Sequence, residues 1–179
     1  MSDILSDLAT KLGENSSVGF APVESWNPQY CGEIDIEIKE NGDWYHMGSQ
    51  IKRPKLVALF ASVLWRDVDG DGAHYLITPA EKIKIKVKDS AFIATDLLVD
   101  VQNQLQNIAV QTNLAGQVLI GRHNPIRFTH DDGQFMAYVT IRYGLEAKLT
   151  RSLCYDLAEY MTEKDGSFIL MSNNQQFRV

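Results

Sequence analysis

CGEIDIEIKENGDWYHMGSQIKRPKLVALFASVLWRDVDGDGAHYLITPAEKIKIKVKDSAFIATDLLVD, residues 31–100, carries alternating strands, a helix and the turns that join them. Glu33 to Lys39 alternates acids with Ile34, Ile36 and Ile38, and a period of two marks a strand with one face buried. Asn41-Gly42 predicts a type I′ hairpin, which needs positive φ at both positions, so Asp43 to Met47 returns as the partner strand. Pro54 suits the first position of a helix, where its missing N–H costs nothing. Leu56, Val57, Leu59, Phe60, Val63 and Leu64 then give that helix a wide apolar face. Past the Asp/Gly turn at 67–72, His74 to Thr78 reads as a strand. Lys82 to Lys88 alternates lysine with Ile83, Ile85 and Val87, which predicts a strand with one cationic and one buried face.

Upstream, Ser2 or Asp3 caps a short helix carrying Ile4, Leu5, Leu8 and Leu12, and Gly13 stops it. Residues 14–28 hold turn formers and two prolines, a connecting segment that lays Phe20 and Trp26 onto the body. Downstream, FIATDLLV, QLQNIAVQT, QVLIG, PIRFT and QFMAYVTIRY are five β-like segments separated by turn residues. Leu145, Leu149, Leu153, Leu157 and Met161 then recur at i, i+4, predicting one helix over 145–161, and Asp165-Gly166 turns the chain into a last strand, SFILMS. The expected organisation is an N-terminal helix and connecting segment (1–28), a first α+β sub-domain (29–90) and a second (91–179).

The 179 residues are 45% apolar and 22% charged, ordinary globular material with room for a real core. A net charge of −6 argues against sequence-independent binding to duplex nucleic acid or to an anionic membrane, whose affinity comes mainly from Lys and Arg. Cys31 and Cys154 stand far apart, which disfavours a disulfide framework and suits reduced thiols in a cytosol. The N-terminus lacks the pattern of a signal peptide, and no apolar run approaches the ~20 residues of a membrane helix. A cytoplasmic protein is expected.

Set side by side, the two halves share an order: turn glycine, strand, Arg, helix, Asp-Gly turn, strand. GDWYHM, Arg53 and DGAHYLIT stand around the first helix; GQFMAYVTI, Arg142 and DGSFILMS stand around the second. A duplication follows, and with it an α+β protein of two related sub-domains, each a curved, mostly antiparallel sheet packed by one helix. CG-I-D-I at 31–36, GDW at 42–44, G-x-x-I-x-R at 48–53, LVALF at 56–60, YLITPAEK at 75–82 and DSAF at 89–92 resemble the bacterial domain-of-unknown-function family numbered 1285. TN at 112–113 and the run from Arg142 to Ala147 match it more loosely. The resemblance implies a duplicated α+β fold with a loosely pleckstrin-homology-like second half, a nucleotide-like ligand at the domain interface, and a role in signal transduction. No established activity comes with it.

Asp67 to Gly72, DVDGDG, matches the opening of a calcium loop, but position 12, where a bidentate Glu should close the site, is Thr78. A tight solvated turn is the plainer reading. His46, His74, His123 and His130 show no metal-ligand spacing, and no phosphate-cradling or nucleophile motif occurs, so neither metal, cofactor nor catalytic residue is assigned. Cys31 is read as a packed, inert thiol. Arg53 and Arg142 each precede a predicted helix, where outward backbone N–H groups and the macrodipole disfavour a lone cation and favour an anion beside it. With the halves related, the two arginines would face a shared crevice. There Thr78 serves as hydroxyl donor, Glu81 as a partner for Arg or ribose, and Lys82 as a second cation. The alternative is that these charges pair as a structural network. The expected function is a binding or regulatory module, more a non-enzyme than an enzyme, holding a small anionic, nucleotide-like ligand. The other readings are a protein-interaction adaptor with a protein partner, using strand edges or Trp44, Tyr45 and Trp65, and an undescribed hydrolase or transferase.

Overall fold

A computed structural model describes residues 20–102, 105–131 and 133–179. The N-terminal helix expected over Ile4–Leu12 lies outside the described residues. The chain divides into two compact units, one ending at Asp89 and the other running from Ser90 to Val179.

In the first unit a 3-10 turn (Val23–Ser25) leads to β1 (Gln29–Ile38), β2 (Trp44–His46), β3 (Ser49–Gln50), helix α1 (Pro54–Ser62), β4 (Leu64–Arg66), β5 (His74–Ile77) and β6 (Glu81–Val87). The sheet order is β3-β2-β1-β6-β5-β4, with β1 and β6 parallel at its centre and every other pair antiparallel. The Glu/Ile and Lys/Ile alternations form β1 and β6 as their period requires. Ile36 and Ile38 are fully buried, and Glu33 and Glu37 oppose Lys84 and Lys86 across the parallel pair. The core on the apolar face gathers Trp44, Phe60, Leu64 and Leu76, with the Trp44 and Phe60 rings stacked at 6.2 Å. Helix α1 begins at Pro54 as expected but stops at Ser62, so Leu64 opens a strand instead of closing the helix. The β1–β2 turn also differs from expectation. Only Gly42 has positive φ (84°), Gly42 N donates to Lys39 O, and the Asn41 side chain accepts from Asp43 N. It is a three-residue loop ending in a left-handed glycine, since the Asn side chain stabilises the local turn without itself turning left-handed.

The second unit runs β7 (Phe92–Gln102), β8 (Leu105–Thr112), β9 (Gln117–Leu119), β10 (Ile126–Asp131), β11 (Gln134–Arg142), β12 (Leu145–Leu149), helix α2 (Arg151–Ala158), β13 (Met161–Lys164), β14 (Ser167–Ser172) and β15 (Gln175–Arg178). Its six-stranded sheet has the order β10-β11-β12-β7-β8-β9, with β12 and β7 parallel, and β13–β15 form a second small sheet. The helix expected over 145–161 is therefore corrected to a strand and a shorter helix. Tyr143 and Gly144 both have positive φ (47° and 72°), the signature of a type I′ turn, so the chain folds back as β12 before any helix starts. Thr150 then caps α2, its side chain accepting from Leu153 N. Leu145 and Leu149 are buried as strand residues, Leu153, Cys154 and Leu157 as helix residues. Ser172, fully buried, donates to Ile120 O and accepts from Ile108 N, which ties β14 to the main sheet.

Counted from the first strand of each unit, both sheets read 4-5-6-1-2-3, with strands 1 and 6 parallel. The duplication is real at the level of the strands, while the helix falls after strand 3 in the first unit and after strand 6 in the second.

All three tryptophans, Trp26, Trp44 and Trp65, belong to the first unit, so tryptophan fluorescence reports on that unit. Phe60→Ala removes a fully buried ring stacked on Trp44 and is expected to cost about 3–5 kcal/mol. Urea unfolding followed by that fluorescence checks it; a loss below about 1 kcal/mol would mean that α1 does not anchor the unit.

Candidate functional site

Pairing across β4, β5 and β6 fixes which side chains share a face of the first sheet. Trp65 opposes Tyr75, which opposes Lys84, and this row lies on one face; Arg66 opposes His74, which opposes Ile85, and this row lies on the other.

On the first face Lys82 Nζ sits 4.6 Å from the Trp65 ring centre, 4.2 Å from that of Tyr75 and 3.2 Å from Asp67 Oδ2. Beside it, Asp71 accepts from Ala73 N, from the Tyr75 hydroxyl at 2.9 Å and from Lys84 Nζ at 3.1 Å. The Ala73 amide first, then the Tyr75 hydroxyl and Lys84, hold the Asp71 carboxyl down at about 2. Burial first, then the Asp71 carboxylate, pushes the Tyr75 phenol up to about 12. The DVDGDG turn thus aims Asp67 and Asp71 at lysines of β6. Among the described residues no cluster of three or more His, Cys, Asp or Glu side chains gathers as a metal site.

At the end of β6 lies an open depression of about 470 Å³, lined by Arg66, Gly72, Ala73, His74, Ile85, Lys86, Val87, Lys88 and Asp89. Its cause is a mismatch of strand lengths. β5 begins at His74, opposite Ile85, while β6 runs on to Val87 alongside β1. Past Ile85, β6 has no strand on its β5 side, and Gly72 and Ala73 form part of the wall there. Arg66 is oriented there by Nε, which donates to Gly72 O at 3.2 Å. Lys88 also bridges to Glu37 at 3.3 Å, so part of its charge is already answered.

The residues singled out from sequence lie in several places. Thr78 is buried, and its hydroxyl accepts from Ala80 N and Glu81 N, which locks the β5–β6 turn. Glu81 is half-buried and opens β6 opposite Gln29, and Lys82 is held in the ring-and-carboxylate box. Arg53 is exposed at the start of α1 with no side-chain cap bond. It stands at the other end of β1: Ile51 N donates to Trp44 O, and Trp44 pairs with Ile38. Nine residue steps from Gln29 to Ile38 span about 30 Å, so Arg53 and the Thr78–Glu81 turn do not meet. Arg142, in the second unit, ends a strand and not a helix lead-in, its guanidinium 5.1 Å from the Tyr143 ring centre. Cys31 is exposed, not packed, and donates to Gln29 O. Sequence reasoning missed Arg66, Gly72 and His74, because a depression made by unequal strands has no motif of its own.

Comparison with known proteins places the chain. Residues 21–90 match the model described as "Domain of unknown function (DUF1285), N-terminal domain", and residues 91–179 match "Protein of unknown function (DUF1285), C-terminal domain". The chain belongs to the DUF1285 family. It is similar to the crystal structure of a DUF1285 family protein from Silicibacter pomeroyi DSS-3, with a TM-score of 0.87 and 37% identity over 96% of this chain and 93% of that one. It is also similar to one from Shewanella baltica OS155, with a TM-score of 0.53 and 29% identity over 69% of this chain and 90% of that one. No curated protein matches it. Among the described residues no helix is long and apolar enough to cross a membrane.

The Asp71 contacts carry a pH prediction. Folding lowers this carboxyl's pKa, so the native state binds fewer protons there than the unfolded chain. The stabilisation is complete above about pH 4 and is lost as pH falls toward 2. The urea midpoint of the wild type should therefore fall more steeply over that range than that of Asp71→Asn. Parallel pH profiles for the two would mean that the contacts do not stabilise the turn.

Proposed function

We propose that this DUF1285 protein is a binding module of regulatory character whose first unit holds a small anionic ligand in the depression at the end of β6. The ligand class is the one the sequence suggests. The seat is Arg66 with its surroundings, while Thr78 and Lys82 serve the architecture. The observation that carries the reading is the charge of the lining: Arg66, Lys86 and Lys88 with Asp89, in a chain of net charge −6. Concentrating cations at one concavity of an acidic protein raises the local concentration of anions there. Arg66 is held at this concavity by Nε, which donates to Gly72 O.

A thermal-shift titration with phosphate, pyrophosphate and phosphorylated metabolites tests it. A ligand at about 100 times its Kd adds about 2.7 kcal/mol, a rise of several degrees in melting temperature. That rise is expected for wild type and for Arg53→Ala, and is expected to vanish for Arg66→Ala. A shift that survives Arg66→Ala and disappears with Arg53→Ala would return the site to the start of α1.

A further inference from the structure

In the second unit one strand outruns its neighbour. β7 is 11 residues long, but β12 pairs with it only through Ala147, Lys148 and Leu149, opposite Phe92, Ile93 and Ala94. From Thr95 on, β7 has β8 on one side and, among the described residues, no strand on the other. The direction of its backbone follows from its partner. Ile120 N donates to Ile108 O and Ile108 N donates to the Ser172 hydroxyl, so Ile108 turns both backbone groups away from β7. Residues opposite one another in an antiparallel ladder either exchange both bonds or turn away together. Val99 is opposite Ile108, Leu97 opposite Val110 and Val101 opposite Gln106, so these three turn N–H and C=O off the sheet. Two further bonds agree: Asn173 N donates to Gln106 O, and Leu97 N donates to the carboxylate of its neighbour Asp96.

The side chains of this edge are of the kind that another strand covers. Leu97, Val99 and Val101 share a face with the fully buried Val110 and Ile108, yet Leu97 and Val99 are only half-buried and Val101 is 61% exposed. No lysine or proline, the residues that guard open sheet edges, stands anywhere in β7. We propose that this edge pairs, antiparallel and about a twofold axis at Val99, with the same edge of a second copy of the chain. The strand carries its own complement, because its inward row is apolar read in either direction from Val99. That register sets Leu97 against the partner's Val101 and Val99 against the partner's Val99, so each group turned off the sheet finds a bond. On the other face Leu98 stands opposite the partner's Asp100, and no carboxylate opposes another. An axis at Leu98 would set Asp96 against the partner's Asp100, and an axis at Asp100 would set that residue against its copy, like charges directly opposite. An axis at Leu97 would bring Val101 against the partner's Ile93, where β12 already lies.

Sedimentation velocity on the full-length chain and a cross-linking pair test it. The wild type is expected to sediment as a dimer at micromolar concentration. Val101→Lys changes a side chain that is exposed in the single chain, and is expected to raise the dissociation constant of the dimer more than about tenfold. Cys31→Ser removes the exposed thiol and gives a background for new cysteines. In it, Val99→Cys faces its own copy within disulfide reach and is expected to yield a linked dimer on mild oxidation. Asp96→Cys, about 20 Å along the strand from its copy, is expected to stay unlinked. A wild type that remains monomeric overturns the proposal and leaves the edge to a strand of another protein. A dimer unmoved by Val101→Lys, or one in which Asp96→Cys links as readily as Val99→Cys, overturns it in favour of a different contact surface. Should Val101→Lys fail to fold, the wild type and the two cysteine variants decide.

Discussion

Both units depend on one pairing, the parallel contact between the first and sixth strands: β1 with β6 and β7 with β12. Two antiparallel three-stranded meanders are each built from short hairpins, but joining them side by side with the first and last strands parallel puts strand 3 and strand 4 on opposite edges. Something must then cross the whole sheet. In the first unit the crossing is α1, running from β3 on one edge to β4 on the other, and its apolar face meets the sheet on the way. In the second unit the connection from β9 to β10 is only residues 120–125. A flat six-stranded sheet would hold its edges about 24 Å apart, five spacings of about 4.8 Å. Six residues reach that far only when nearly fully extended. They are not extended, because Gly121 N donates to Asn124 O in a turn. The sheet has to curl until β9 and β10 approach, and the curvature of this unit is thus a consequence of chain length and strand order.

The same constraint explains what the sequence could tell and what it misled. Pro54, the Glu/Ile run of β1, the Lys/Ile run of β6 and the Asp165-Gly166 turn were legible because each is decided locally, by φ preference or by a period of two. The duplication was legible too, but in the wrong register. Aligning helix with helix set Arg142 against Arg53. Aligning strand with strand sets the β11–β12 turn, where Arg142 stands, against the β5–β6 turn of Thr78. The error came from Leu145 and Leu149, whose spacing of four fits a helix and, with Ala147 between them, equally fits one face of a strand. Tyr143-Gly144 was the signal that separates the two, since a left-handed pair ahead of the apolar run begins a hairpin.

The candidate site was far less legible, for a physical reason. A motif is a set of residues close in sequence, whereas this depression exists because β6 outlasts β5 by two residues while β1 still supports it. Arg66 is an unremarkable strand residue in the one-dimensional text. Gly72, six residues on, presents its carbonyl to Nε and helps to give the side chain a direction. The lysine alternation of β6 promised a cationic face, and the fold answers most of that charge on the same face: Lys82 with Asp67, Lys84 with Asp71, Lys88 with Glu37.

The turn at 67–72 joins these two faces. Asp67 and Asp71 grip Lys82, Lys84 and the Tyr75 hydroxyl on one side of the sheet, and Gly72 offers its carbonyl to Arg66 on the other. Within the turn, Gly72 N donates to Asp67 O, and Ala73 N to the Asp71 carboxylate. The position of the Gly72 carbonyl, and hence the aim of the guanidinium, is set by carboxylates that never face the depression. Acidic spacing that reads like a cation loop serves here to orient a cation: the carboxylates fix the turn, the turn fixes a carbonyl, and the carbonyl fixes the arginine.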